Sequence, residues 1–340
     1  MATWLKRRWL FLALAVLVVY PWLPGFDTAR LGGQFRDIFT FCILTLGLNV
    51  VVGWSGQLQL GIAAFFGIGA YTTGILTVSQ FPFQVGFWPA LVAATLVAGV
   101  AGVLLATPTL RLQGDYVAIV TLGFGEVTMF SLKYLENITN GSKALNPLPA
   151  PWFFGLKLDW AGNYRWFYYL SLAFLVLVVL VMRNLESSRL GRTWVALRED
   201  EIATGCMGIA VSRARLSAFA LGAAVAGLGG ALYATSLSTT GGPDSFTFNR
   251  SITVLCFLII GGMGSIDGAI LGTFLLMGYD NILTPRLDQW IQQTGAHFAF
   301  TDIKLVIFGL TLILMMRFRP EGFLPSRRAL MEKESEGKAA

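Results

Sequence analysis

Ser55 stands in Gly53-Trp54-Ser55-Gly56, the GxSG spacing around the serine of intramembrane proteases. That chemistry needs a base, because a serine hydroxyl attacks well only when a histidine within hydrogen-bond reach takes its proton. The only histidine is His297, in a polar segment far along the chain, where a solvated loop position suits it better than a catalytic dyad. Nucleotide hydrolysis is a second possibility, and it needs a glycine-rich loop with a lysine to cradle phosphates. No Gly-x-x-x-x-Gly-Lys-Ser/Thr occurs, and the one Gly-Lys pair, Gly337-Lys338, precedes an alanine in a polar tail. Work drawn from ATP must therefore come through another subunit. Cys42 and Cys256 lie in apolar stretches and Cys206 in a charged one, so no pair is placed for a disulfide or a CxxC metal site.

The remaining chemistry is that of binding and force transmission. Ser187 to Gly208 is a charged island between two long apolar stretches, with Arg189, Arg192, Arg198, Glu199, Asp200 and Glu201 close together. Trp194, Ala196, Leu197 and Ile202 alternate with those charges, a pattern that predicts a short amphipathic helix. Its apolar strip is expected to enter a groove on a partner, with the acids facing basic residues there.

Gly47 to Gly61 is the second informative stretch. Asn49, Ser55, Gln57 and Gln59 bring amides and a hydroxyl to membrane depth or its edge, while Gly53, Gly56 and Gly61 loosen the helix. Irregular backbone at that depth survives only inside protein or beside an aqueous cavity, and a broken helix exposes an N-terminus able to hold a carboxylate. The plainer alternative is a tight turn between two spans. Glu126 is the acid placed deepest in a span, and a carboxylate there suits a polar interior or a structural hydrogen bond to a neighbouring helix. Gly123, one turn earlier, leaves room for such a helix. Asp267 and Asp280 are weaker signals of the same kind.

These groups need a membrane scaffold. A chain of 340 residues that is 55% hydrophobic and 13% charged cannot fold in water without large exposed apolar patches. Its formal charge of +6 sits in short runs at segment ends, which is topology and not a nucleic-acid surface. Apolar stretches run over Trp9 to Leu23, Phe35 to Val52, Leu58 to Val78, Val85 to Thr107, Tyr116 to Leu132, Trp166 to Met182, Leu216 to Ser236, Ile252 to Tyr279 and Ile303 to Met316. An odd number of crossings puts the ends on opposite sides, yet Lys6, Arg7 and Arg8 at one end and Arg317, Arg319, Arg327 and Arg328 at the other both argue for the cytoplasm. Ile252 to Tyr279 resolves the conflict: as one helix it would run roughly 42 Å, and Gly261-Gly262-Met263-Gly264-Ser265 breaks it near the middle. It reads as a hairpin of two short helices that enter and leave on the same side. The 25 Lys and Arg then divide into 16 inside and nine outside, the correct bias.

The expected fold is all-α: a polytopic transmembrane bundle of about eight full spans plus the hairpin, with both termini cytoplasmic. Residues 1–325 make a single transmembrane domain with a charged cytoplasmic loop at about 184–215, and 326–340 make a polar tail. Pro21 to Phe26 offers no small-residue cleavage site, so the basic N-terminal segment stays as the first span. Lys133 to Arg165, with its prolines, Trp152 and Trp160, reads as an ordered outer loop. Gly264, Gly268 and Gly272, every fourth residue, predict a flat ridge on the second hairpin helix, with shorter ones at Gly99 and Gly102 and at Gly222 and Ala226.

Four ordered blocks carry a family resemblance: GLNVVVGWSGQLQLGIAAFFGIGAYTTGIL, RLQGDYVAIVTLGFGEV, GRTWVALREDEIATGCMGI and ITVLCFLIIGGMGSIDGAILG. From about Leu44 to Arg319-Pro320-Glu321-Gly322 the chain resembles the branched-chain amino acid ABC importer permeases of the LivM type. The resemblance implies a bacterial inner-membrane subunit that pairs with a second, LivH-like permease, two ATP-binding subunits and an external binding protein. It implies no cofactor on this chain, ATP being bound by the partners. The island is then the loop seated in an ATPase groove, with Glu201, Ala203 and Gly208 in the places of the importers' Glu-Ala-Ala...Gly motif, although Gly208 lies one residue further on than that motif has it. The family usually reads GQLSLGHAAF where this chain has Gln59 and Ile62, and the glycine-proline-asparagine-glycine run expected after Thr139-Asn140-Gly141 is missing. Branched-chain or other neutral amino acids are the first expectation for cargo, with urea and short amides the alternative within the family. A secondary transporter is the rival from another class, but it should show inverted repeats with paired broken helices.

Overall fold

The computed structural model describes residues 17–22, 29–82, 84–112, 114–153, 156–157, 160–285, 288, 300–319 and 322–324. Helix α1 (Ala29–Leu48) runs directly into a π-helical turn (Asn49–Trp54). It is followed by α2 (Ile62–Thr77), α3 (Phe87–Thr109), α4 (Asp115–Tyr134) and a single turn, α5 (Glu136–Thr139). A two-residue ribbon, β1 (Trp152–Phe153) with β2 (Leu156–Lys157), precedes α6 (Trp160–Ser187), α7 (Arg189–Glu199) and α8 (Glu201–Cys206). The chain continues through α9 (Val211–Leu237), α10 (Phe248–Gly261), α11 (Ile266–Gly278) and α12 (Phe300–Phe318). The all-helical expectation holds apart from that ribbon.

Among the described residues five stretches are long and apolar enough to cross a membrane: Phe35–Trp54, Phe87–Thr109, Asp115–Tyr134, Arg165–Ser187 and Val211–Leu237. Ile62–Thr77 is apolar but has only 16 residues, because the chain before it is not helical. Helix α10 has 14 residues and rises about 20 Å at 1.5 Å per residue, short of the roughly 30 Å hydrocarbon core. The 13 residues of α11 continue directly into a π-helical turn (Tyr279–Leu283), so the second arm is longer than the short helix expected. They lie back to back, and a β-carbon on Gly268 would fall 2.6 Å from the Gly261 carbonyl oxygen. The helical hairpin is therefore present. Gly264 departs from the expected ridge: it belongs to the turn, with φ of 82°, and only Gly268 and Gly272 lie on α11. Turn glycine and ridge glycine happen to fall at the same spacing.

Helix α9 is the hub, packed along α3, α2 and α1. Its buried positions are mostly small, including Gly222, Ala223, Ala226, Gly227, Gly230 and Ala231, and backbones meet there: a β-carbon on Gly222 would sit 2.8 Å from the Gly47 carbonyl. Helix α3 turns Ala90, Ala94, Ala98 and Gly102 inward and Val92, Leu96, Val100 and Leu104 outward. Small residues inside with large aliphatics outside is the pattern of a lipid-facing helix, where close packing replaces the hydrophobic effect as the adhesive.

Side-chain and backbone bonds sort the connections into two ends of the bundle. One end holds Ser55–Leu58, Leu112–Val117, α7, α8, the hairpin turn and Gly322–Leu324, whose Phe323 and Leu324 N–H groups bond to the Ile260 and Gly261 carbonyls at 3.0 Å. The other holds Leu145, Leu148, Ser238 and Thr240, joined by Leu148 N–H to Ser238 O (2.9 Å) and Thr240 N–H to Leu145 O (3.1 Å). His297, most of the first apolar stretch and the 326–340 tail lie outside the described residues.

Candidate functional site

The span that begins at α1 is 94% buried, so it forms the core of the bundle and not its rim. Its helix widens into a π turn at Asn49–Trp54, with Ser55 N–H bonded to Val50 O and Gln57 N–H to Val51 O, both at 3.1 Å. Such wide turns interrupt the regular ladder and recur at functional places. Gly56 then takes φ of 71°, where a β-carbon would come within 2.7 Å of Arg198 Cγ. Gln57 to Gly61 follow without helix. Leu60 N–H bonds to Thr121 Oγ1 of α4 at 3.0 Å, and α2 starts with Ala63 N–H on Ser251 Oγ of α10 at 3.1 Å. A discontinuous helix thus sits inside the bundle, as the glycines and amides imply. Its second N-terminus differs from expectation in being partly occupied by neighbouring hydroxyls.

The polar side chains of this break have separate duties. Asn49 is buried, and its Oδ1 accepts from Gly264 N–H at 2.9 Å while Trp54 Nε1 donates to Gly264 O at 3.2 Å, so both clamp the hairpin turn. Ser55 Oγ donates to Val51 O at 2.8 Å, which occupies the hydroxyl locally. Gln57 is half-buried and lines a cavity. Gln59 is fully buried.

Helix α7 lies against this break. Ser188 caps it, its Oγ accepting from Gly191 N–H at 3.2 Å. Trp194 is 1% exposed, stacks on Trp54 with ring centres 6.1 Å apart, and donates from Nε1 to Ala214 O and Ser217 Oγ, both at 3.0 Å. Leu197 is buried beside it. This corrects the expectation that Trp194 and Leu197 offer themselves to a partner: the apolar strip of α7 is spent on its own bundle. Arg198 extends from the same helix and donates from Nη1 to Gly53 O at 2.5 Å.

The acids of the island are also engaged within the chain. Asp200 caps α8, its Oδ1 accepting from Ile202 and Ala203 N–H at 2.8 and 2.9 Å, the usual role of an aspartate at a helix start. Glu201 pairs with Arg215, which also donates to Leu110 O at 3.2 Å and so ties α8 and α9 to the α3–α4 turn. What α8 shows outward is Ile202 (80% exposed), Ala203, Met207 (83% exposed) and, beyond them, Gly208 with φ of 80° and open space around it. Glu199 is exposed as well.

Between break and island lies a cavity of about 230 Å³, lined by Ser55, Gln57, Leu58, Asp115, Arg198, Glu201 and Arg215 among others. Two positive and two negative side chains border it, so its charge is balanced. Asp267 is not in the break: it pairs with Arg183 at 2.9 Å at the same end of the bundle. Glu126 is half-exposed on α4, while Gly125 and not Gly123 meets the break, at Gly61 Cα. No group of His, Cys, Asp and Glu among the described residues could hold a metal ion.

Sequence reasoning passed over Trp54, Thr121, Arg215 and Ser251. In the sequence Arg215 counts only as one more topological charge. Only the buried partners reveal them.

A discontinuous core helix, a hairpin clamped to it and a charged helical arm braced against both define a polytopic membrane transport subunit. A family model described as branched-chain amino acid transport system / permease component matches residues 33–316. The chain is 38% identical to the high-affinity branched-chain amino acid transport system permease protein LivM of Escherichia coli (strain K12), covering 95% of this chain and 76% of that one. It is 35% identical to the protein of the same description in Salmonella typhimurium, with 97% and 77% covered, and 25% identical to the probable LivM permease of Methanocaldococcus jannaschii, with 70% and 68% covered. No solved structure matches. The chain belongs to the branched-chain amino acid transport system permease family, and it is a membrane permease subunit of an ABC importer.

Proposed function

We propose that the chain moves branched-chain or other neutral amino acids across a bacterial inner membrane, paired with a second permease, with two ATP-binding subunits on its cytoplasmic face and a binding protein outside. The observation that carries this reading is the Arg198–Gly53 bond, which joins the charged arm to the break in the core helix. Helix α8 supplies the docking surface: Ile202 and Met207 are large apolar side chains held in water beside exposed Glu199, a combination that gains free energy only against a partner. An ATPase subunit that moves on hydrolysis pushes α8, the Glu201–Arg215 pair and the Trp194–Trp54 stack carry the push into α7, and the π turn follows. The identities of 35–38% to permeases named for branched-chain amino acid transport support the cargo class. No site on this chain hydrolyses ATP in this reading.

The test is co-purification followed by uptake in proteoliposomes. The complete complex is expected to accumulate leucine in an ATP-dependent manner, and Ile202→Asp with Met207→Asp to lose its ATPase subunits while inserting normally. Uptake by the chain alone, indifferent to ATP, would make it a secondary transporter. Uptake of urea in preference to leucine would move it to the amide branch.

A further inference from the structure

Gln59 is the one side chain of the break that no neighbour explains. It is 0% exposed, and neither Oε1 nor Nε2 has a hydrogen-bond partner among the described residues. Burying a primary amide with nothing to bond costs more than a typical hydrogen bond contributes, and native folds seldom tolerate it at both atoms. Its surroundings are well supplied with polar groups that are already used: Thr121 Oγ1 takes Leu60 N–H, Ser251 Oγ takes Ala63 N–H, and Ser55 Oγ donates to Val51 O. The Leu60 and Ala63 N–H groups beside Gln59 are satisfied while its side chain is not.

Its place in the chain is equally specific. Gln57 and Leu58 line the charge-balanced cavity at the arm end of the bundle, so Gln59 lies within about 7 Å of chain beyond the cavity wall. The segment that separates them is the irregular stretch held through Gly53 by Arg198. Movement of the arm that releases Gly53 would let the stretch shift and open the amide to the cavity.

We infer that the Gln59 amide is the specificity-determining contact of the passage, a donor and acceptor held for the cargo and exposed only while the break is open. This rests on the transport reading above. Nε2 offers a donor to a carboxylate oxygen and Oε1 an acceptor to an ammonium or amide N–H, so the cargo it favours carries both kinds of group on neighbouring atoms. A zwitterionic α-amino acid meets that requirement, and a primary amide shares the same chemistry.

Gln59→Met keeps the length of the side chain and removes both polar atoms, and Gln59→Glu keeps the acceptors and removes the donor. Both are compared with wild type in the complete complex with binding protein, reading leucine uptake, ATP hydrolysis, thermal midpoint and the binding protein's own leucine affinity. In the Met variant leucine uptake is expected to fall by at least about tenfold, the loss of one or two hydrogen bonds. Its thermal midpoint should hold or rise, since an unsatisfied buried amide has gone, and ATPase activity and binding-protein affinity should stay. In wild type, leucine should be carried faster than its deaminated or decarboxylated analogue, a preference the Met variant loses; a short primary amide carried faster than leucine would assign the same contact to amide cargo. Uptake unchanged in the Met variant, or a fall in midpoint together with uptake, would show that the amide serves the fold and overturn the inference. Wild-type complex that carries none of these solutes would instead refute the transport reading itself.

Discussion

Arg198 Nη1 and the Gly53 carbonyl oxygen lie 2.5 Å apart across 145 residues of sequence. A guanidinium on a carbonyl is a charge-assisted bond, about twice as strong as a neutral one. The acceptor is available because Gly53 stands in the last turn of the π helix, where carbonyls have no helical N–H ahead of them. The same residue lies against Gly56 and Gly264, so one arginine touches the core helix, its irregular continuation and the hairpin turn. A displacement of α7 therefore reaches all three.

The Glu201–Arg215 pair should be a stability determinant before it is a coupling one. Arg215 has a side chain only 10% exposed and Glu201 one 35% exposed, so the pair is partly screened. Glu201→Lys leaves two positive charges facing each other at Leu110 and is expected to destabilise the subunit by about 1–3 kcal/mol. Charge reversal at both positions should recover part of that loss. Chemical denaturation of the solubilised subunit measures it, and recovery absent from the double variant would separate the two residues.

Gly261 and Gly123 make a matched pair. A β-carbon on Gly261 would press on the Gly268 carbonyl and on Gly272, which are backbone and cannot move aside, while one on Gly123 meets nothing within 4 Å. Gly261→Val is expected to cost about 3 kcal/mol and to lower the yield of folded subunit. Gly123→Ala should be neutral or stabilising by up to about 1 kcal/mol. Melting curves of the isolated subunit in detergent decide it.

Much of this could be read in the sequence, for identifiable reasons. The small-residue faces of α3 and α9 carry the packing directly, and the amides with glycines between Asn49 and Gly61 mark irregular backbone at depth because nothing else tolerates them there. The hairpin follows from length and parity. Three points escaped. Gly264 shares the spacing of Gly268 and Gly272 but serves a left-handed turn. Trp194 and Leu197 show that an amphipathic strip has two possible destinations, the parent bundle or a partner, and periodicity is the same for both. By charge Asp200 groups with the docking acids, whereas its position before Glu201-Ile202-Ala203 is that of a helix cap.

The hairpin fixes the sidedness of two loops. With α10 running to the hairpin turn at the arm end and α11 with its π turn returning from it, Asp244→Cys and Pro285→Cys should both react with a membrane-impermeant maleimide from outside the cell. Native Cys206, exposed on α8, should react only in inverted vesicles, and buried Cys42 and Cys256 in neither. Labelling of positions 244 and 285 from opposite faces would mean that the segment crosses the membrane once and would contradict the hairpin.

The most direct measurement is the number of ATP molecules hydrolysed per leucine carried by the reconstituted complex with Arg198→Ala. Loss of the bond removes about 1.5–3 kcal/mol of attachment between arm and break. The ATPase subunits should still bind α8 and turn over ATP, while uptake falls by about tenfold or more, so the ratio rises steeply. A ratio equal to wild type, with uptake and hydrolysis both intact, would contradict transmission through Arg198 and Gly53.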